Sequence, residues 1–168
     1  MISAIQKAAS QPRFAQYFVS GPDAAMTGNA DVILVEGTAY TYIGPNYHSS
    51  AAGGNPVLDT IKAAESQGTG KCESAGTGKV RGASVDKIRY TGPLMGKTEG
   101  GYTVWVEKST GLPLYHEDTL LPIGGGVAWK YGNGVQAPAN AGSSVVDFAA
   151  ILKGLPNVMN AATGGKKP

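Results

Sequence analysis

At 168 residues the chain can bury one sizeable core and suits a single domain. Its 14 basic and 12 acidic side chains leave a net charge of +2, with no Lys/Arg cluster beyond a short GGKKP end, which excludes a general nucleic-acid binder. With 25 Gly and 10 Pro set among well-patterned residues, a turn-rich β protein is the leading class.

In chain order, SAIQKAAS predicts a short helix ended by Pro12, and RFAQYFVS a strand entering the turn GPD. DVILVEGTAYTYIG holds two β-prone runs joined at Glu36-Gly37, a hairpin. PNYHSSAAGG, rich in small residues, reads as a loop. A longer helix follows: Asn55 is placed to cap it, Pro56 occupies the first position, where its missing N–H is harmless, and Gly68 closes PVLDTIKAAESQ. Val57, Leu58, Ile61 and Ala64 share one side, which should pack on a sheet.

From Cys72 to Tyr131 strand follows strand: CESAGTGKV, ASVDKIRYT, GYTVWVEK, LPLYHED and GVAWKYG. Short spacing favours antiparallel neighbours, because parallel ones need long crossovers. After APANAG, Ser144 and Asp147 form a capping-box pair for a last helix that Gly154 and Pro156 stop. Its Val145, Phe148, Ile151 and Leu152 are too apolar to stay in water, so it should dock on the body or cover a cavity mouth.

The hairpin VWVEKSTGLPLYHED carries apolar residues on both faces. A turn at Lys108–Gly111 sets Trp105 opposite Leu114, and a turn at Thr110-Gly111 sets it opposite His116. Both put Trp105, Leu112, Leu114 and His116 on one face and Tyr102, Val104, Val106 and Tyr115 on the other; a three-residue loop would swap the partner strand. DVILVEG is two-sided as well, whereas GVAWKYG sets Val127, Trp129 and Tyr131 against Ala128 and Lys130. The sheet therefore needs two apolar coverings. Helices can supply one; the second requires closure of the sheet on itself, a partner chain or an apolar ligand.

Catalytic signals are poor. MGKT lacks the first Gly of a phosphate loop, since position 91 is Thr91. His116 and Asp118 alternate onto one strand face, but two ligands do not make a metal site, and an exposed polar strand end is the plainer reading. His48 beside Ser49 and Ser50 falls in the predicted loop, without the rigid positioning a nucleophile and base require. The lone Cys72 has no disulfide partner. No enzymatic turnover, cofactor or metal is expected. No apolar run approaches the roughly 20 residues of a membrane span. The start MISAIQKAASQPRF carries no basic-then-apolar leader, which leaves a cytosolic protein or one whose export signal has been removed.

The order of AIQKAASQPRF, the hairpin ILVEGTAYTYIGP, a helix, CESAGTGKVRGASVDKIRYTG, YTVWVEKSTGLPLYHED and WKYGNGVQAP resembles the LolA-like family of bacterial periplasmic lipoprotein carriers. The most specific piece is the Trp-containing strand followed by a Gly-Leu-Pro turn, and the likeness covers about residues 3 to 138. It implies an α+β fold, a strongly curved antiparallel half-barrel with helices packed on or plugging its concave face. A body of residues 1–138 would carry a C-terminal helix and tail at 139–168 within one domain, and that end has no counterpart in the family. It also implies a periplasmic, non-enzymatic carrier for a lipid or lipidated protein, with acyl chains, a membrane or a lipoprotein as partners. Tyr40, Tyr42, Trp105, Leu114 and Trp129 are the expected apolar contacts on the curved sheet, some of them lining an acyl-sized cavity. Two other readings stand beside it: a structural or regulatory module whose apolar face a partner chain covers, and a hydrolase using His48 or His116.

Overall fold

The computed structural model describes residues 1–43, 45–51, 56–94, 97–118, 125–139 and 141–142. The expected cap Asn55 and the expected helix from Ser144 lie outside them.

Helix α1 (Ile2–Ala9) buries Ala4, Ile5 and Ala8, spaced to share one side of a helix. It ends before Pro12, and the Ser10 hydroxyl donates to the Lys7 carbonyl at 2.8 Å. Lys7 sits in the last turn, where its charge suits the negative end of the helix, and its ammonium donates to the Thr110 carbonyl. Strands β1 (Arg13–Val19), β2 (Val32–Val35), β3 (Thr38–Ile43) and β4 (Asn46–Ala51) follow. Helix α2 (Pro56–Ser66) then leads to β5 (Lys71–Val80), β6 (Ala83–Leu94), β7 (Lys97–Glu107), β8 (Pro113–Asp118) and β9 (Gly126–Tyr131). A two-residue β10 (Ala141–Gly142) ends the described chain.

The ten described strands form one sheet, in the order β10-β4-β3-β2-β1-β9-β8-β7-β6-β5. Nine of them pair antiparallel, and β10 lies parallel to β4. The sheet is curved and unclosed, with β5 and β10 at its edges. Two meanders make it, both ending on the central β1. The turns Glu36-Gly37 and Arg81-Gly82 each have positive φ at both residues, the twist that suits two-residue hairpin loops.

The connections must cross the faces. Since β4 and β5 stand near opposite edges, α2 has to traverse one face between them. Ile61 and Ala64 of α2 share a buried cluster with Met1 and Ile5 of the N-terminal helix and with Tyr90, Tyr102 and Val104 of the sheet. Ala8 joins Phe14, Leu34 and Trp129 further along that face. Strand alternation places Phe14, Leu34, Ile88, Tyr90, Tyr102, Val104, His116, Val127, Trp129 and Tyr131 together here, on what we term the first face.

The second face is covered by other parts of the same chain. After β9 the backbone must travel from the sheet's centre to its edge, and Val135 is buried on the way against Ala15, Ala30 and Ile33. On the other half, Val80 and Val85 share a cluster with Val19, Tyr115 and Ala128. A flat sheet would hold β5 about 24 Å from β1. The Arg81 guanidinium in the β5–β6 turn nevertheless donates to the carbonyls of Leu114 on β8 and Trp129 on β9, so the β5–β6 end curls over the second face.

Three expectations change. PNYHSSAAGG supplies β4, because its neighbour β3 pairs with it from Thr38 to Ile43 and outweighs the poor strand propensity of its serines. The β7–β8 register sets Trp105 opposite Tyr115 and Val104 opposite His116, with a bulge between Trp105 and Val106. That one extra residue exchanges the faces of β8 from Tyr115 onward relative to those expected, while Leu114 still packs with Trp105. Strand β9 is buried on both faces, since Ala128 packs into the curl while Trp129 packs under α1.

Candidate functional site

The first face is an aromatic surface built by alternation. Trp129 stands 5.3 Å from Phe14, 6.1 Å from Tyr131 and 5.8 Å from His116, and His116 lies 4.8 Å from Tyr102. The Trp129 indole donates from Nε1 to His116 Nδ1 at 2.9 Å. An imidazole accepting at Nδ1 carries its proton on Nε2 and is neutral. Removal from water pushes its pKa down to about 3. The sequence reading of His116 as an exposed strand end is thus corrected: it is a partly buried acceptor between two rings. The Tyr131 hydroxyl donates to the Pro113 carbonyl at 2.7 Å, and burial raises its pKa. Tyr131→Phe is expected to cost about 1 kcal/mol in urea unfolding, the usual net worth of such a bond.

The five residues singled out from sequence fall into three groups. Trp129 is 5% exposed on the first face, beneath α1. Trp105 and Leu114 pack together with the curled cluster of the second face. There Trp105 meets Tyr115 edge-on at 5.3 Å and carries the Lys87 ammonium 4.0 Å over its ring, while its Nε1–H is buried without a partner. Tyr40 and Tyr42 also lie on the second face, on the far half of the sheet, where Tyr40 packs against the cluster of Ala15, Ile33 and Val135.

Two exposed apolar side chains escaped the sequence reading. Phe18 is 41% and Ile43 38% exposed. By alternation from Phe14 and Val32 both belong to the first face, at the end away from α1. The Phe14/Phe18 spacing in RFAQYFVS was the signal, and only the register of β1 reveals that one ring is covered and the other is not.

Tyr42 also lines an open cleft of about 270 Å³ with Asn29, Pro45, Asn46, Tyr47, Pro138 and Ala139. Its volume falls just below the usual range of small-molecule sites, roughly 300–1,000 Å³.

No protein-family model matches the chain, and no curated protein matches it. Among solved structures, the chain is similar to the crystal structure of lipoprotein LppX from Mycobacterium tuberculosis, at 15% identity and a TM-score of 0.42. The match covers 83% of this chain and 94% of that one. A likeness of this size identifies no family.

His48 stands on β4 opposite Thr41 rather than in a loop. The Cys72 thiol is pushed up to about 12, by burial first and then by its hydrogen bond with Glu65, so it stays protonated at neutral pH. Among the described residues no three His, Cys, Asp or Glu side chains gather as metal ligands, and no helix is long and apolar enough to cross a membrane.

Proposed function

We propose that this chain is a non-enzymatic periplasmic carrier that holds a lipid, or the acyl chains of a lipidated protein, against the first face of a half-barrel, with α1 and α2 as a partial lid. One observation carries the reading: the first face is apolar across most of the sheet, yet Phe18 and Ile43 at its end remain exposed. Helices of 8 and 11 residues are about 12 and 16 Å long, whereas nine strand spacings extend roughly 43 Å. Two such helices are too short to roof the whole face. The second face is the weaker candidate for an acyl chain, because the 132–139 segment and the β5–β6 curl already occupy it.

Trp129, among the residues expected from sequence, would form the floor beneath α1 in this reading, and Phe18 and Ile43 the open rim. The same exposed pair favours a second reading, an interaction module whose partner chain covers the rim.

Mass spectrometry of an organic extract of the purified protein separates the two, since the carrier should release lipid and the module none. Phe18→Glu should bind a fluorescent fatty acid about tenfold more weakly, with thermal unfolding unchanged because the site is exposed. An extract free of lipid, together with a parent chain that binds no fatty acid, would leave the module as the account.

A further inference from the structure

We propose that the cleft at the end of the β3–β4 hairpin is a binding site for one neutral sugar ring. It lies at the turn end of the hairpin, with Tyr42 and Tyr47 on the second face, and is built from three separate stretches of chain. Tyr42, Pro45, Asn46 and Tyr47 come from the hairpin, Asn29 from the loop before β2, and Pro138 and Ala139 from the segment after β9.

The walls are held before any ligand arrives. The Tyr47 hydroxyl donates to the Ala30 carbonyl at 2.9 Å, which fixes its ring. Ala30 and Val135 are buried in one cluster, with Tyr47 packed against it. Pairing of Ala141 with Tyr47 brings the Pro138–Ala139 stretch to the hairpin. A preformed wall spares a ligand the entropy of ordering it.

The free groups define the chemistry. No lining residue among the described ones is charged, which disfavours an ion. The Asn29 and Asn46 carboxamides and the Tyr42 hydroxyl make no side-chain hydrogen bond within the described residues. A carboxamide both donates and accepts, as does each hydroxyl of a sugar, so the two match without a charge on either side. The Tyr42 and Tyr47 rings stand 5.1 Å apart with 55° between their planes. That V does not form the parallel slot a flat base or aromatic ring would fill, whereas a puckered pyranose can lay C–H groups on one ring and turn its hydroxyls to the amides. The cleft of about 270 Å³ equals roughly nine waters in volume, the scale of one such ring and too little for a helix or a lipid tail.

Saturation-transfer NMR on the full chain with the methyl glycosides of glucose, galactose and mannose tests the assignment. At least one should receive transfer, strongest on the protons of one ring face, with millimolar affinity. Tyr42→Ala should weaken it roughly tenfold or more, Asn46→Ala about fivefold, and Tyr42→Phe, which keeps the ring, less than Tyr42→Ala. The site is refuted if none of the three glycosides receives transfer or if transfer survives Tyr42→Ala in full. Displacement of every glycoside by a proline-rich peptide that itself binds more tightly would assign the cleft to protein recognition instead.

Discussion

Between pH 6.5 and about pH 3 the fold is expected to lose up to about 5 kcal/mol of stability through His116 alone. In the unfolded chain the imidazole takes up its proton as pH falls through 6.5. In the folded chain removal from water holds the pKa down to about 3, and Nδ1 is engaged by the Trp129 indole. The unfolded state therefore binds more protons throughout that window, so acid draws the equilibrium toward it. The contribution is fully present above pH 6.5 and is lost as pH falls toward the folded value. Among the described residues the rings packed on it are those of Tyr102 and Trp129, and neither supplies a negative charge to stabilise an imidazolium. Urea unfolding at a series of pH values, for the parent and for His116→Gln, isolates the effect. Carboxylates titrate in both chains, and glutamine keeps an acceptor but cannot gain a proton. The stability difference between the two should narrow or reverse as pH falls. Parallel loss in both chains would show that His116 is not the acid-sensitive element.

Much of the backbone plan was legible in sequence because local signals were strong. Pro56 and Gly68 bracket α2, Glu36-Gly37 closes the first hairpin, and the run from Cys72 to Tyr131 supplies five strands in an antiparallel series. Three features were not legible, each for a non-local reason. The bulge between Trp105 and Val106 reverses the facing of β8 from Tyr115 onward, and no residue of VWVEKSTGLPLYHED announces it. The serine-rich β4 is a strand because β3 pairs along its whole length. The curl that fills the second face depends on long-range bonds from Arg81, in the turn at one sheet edge, to the carbonyls of Leu114 and Trp129. For the candidate site, sequence named Tyr40, Tyr42, Trp105, Leu114 and Trp129 without saying which face each serves, and the strand register divides them between the two. The separation of Trp129 from Trp105 is the result. His116 was misplaced for the same reason: without the register, nothing shows that Trp129 reaches it.

That curl rests on Arg81, and substituting it should have a large effect on stability. Arg81 occupies a hairpin turn at φ 46°, a conformation that costs a non-glycine residue about 1–2 kcal/mol. Glycine would suit the turn better, so the side chain must contribute more than the backbone loses. Its guanidinium donates to the carbonyls of Pro22 at 3.0 Å, Leu114 at 2.8 Å and Trp129 at 3.5 Å, while its backbone N–H donates to Asp23 Oδ1 at 2.7 Å. Leu114 and Trp129 lie just past the paired register of β8 and β9, which joins only Tyr115 with Ala128 and His116 with Val127. The planar fork fills the gap there, linking the β5–β6 turn to strands that stand three and four places away in the sheet. Burial lowers its pKa and Asp23 opposes the shift, yet a guanidinium keeps its charge. A charge-assisted bond of this kind contributes about 1.5–3 kcal/mol, and several on one group do not add fully. Arg81→Met, which keeps the strained turn and loses the bonds, should cost about 3 kcal/mol. Arg81→Gly, which relieves the strain and loses the same bonds, should cost about 2 kcal/mol. Both are measurable by urea unfolding. Amide exchange should accelerate at Val80, Val85 and Tyr115 in either variant and stay unchanged in β3 and β4. An Arg81→Gly chain at least as stable as the parent would show that the turn, and not the guanidinium, sets the curl.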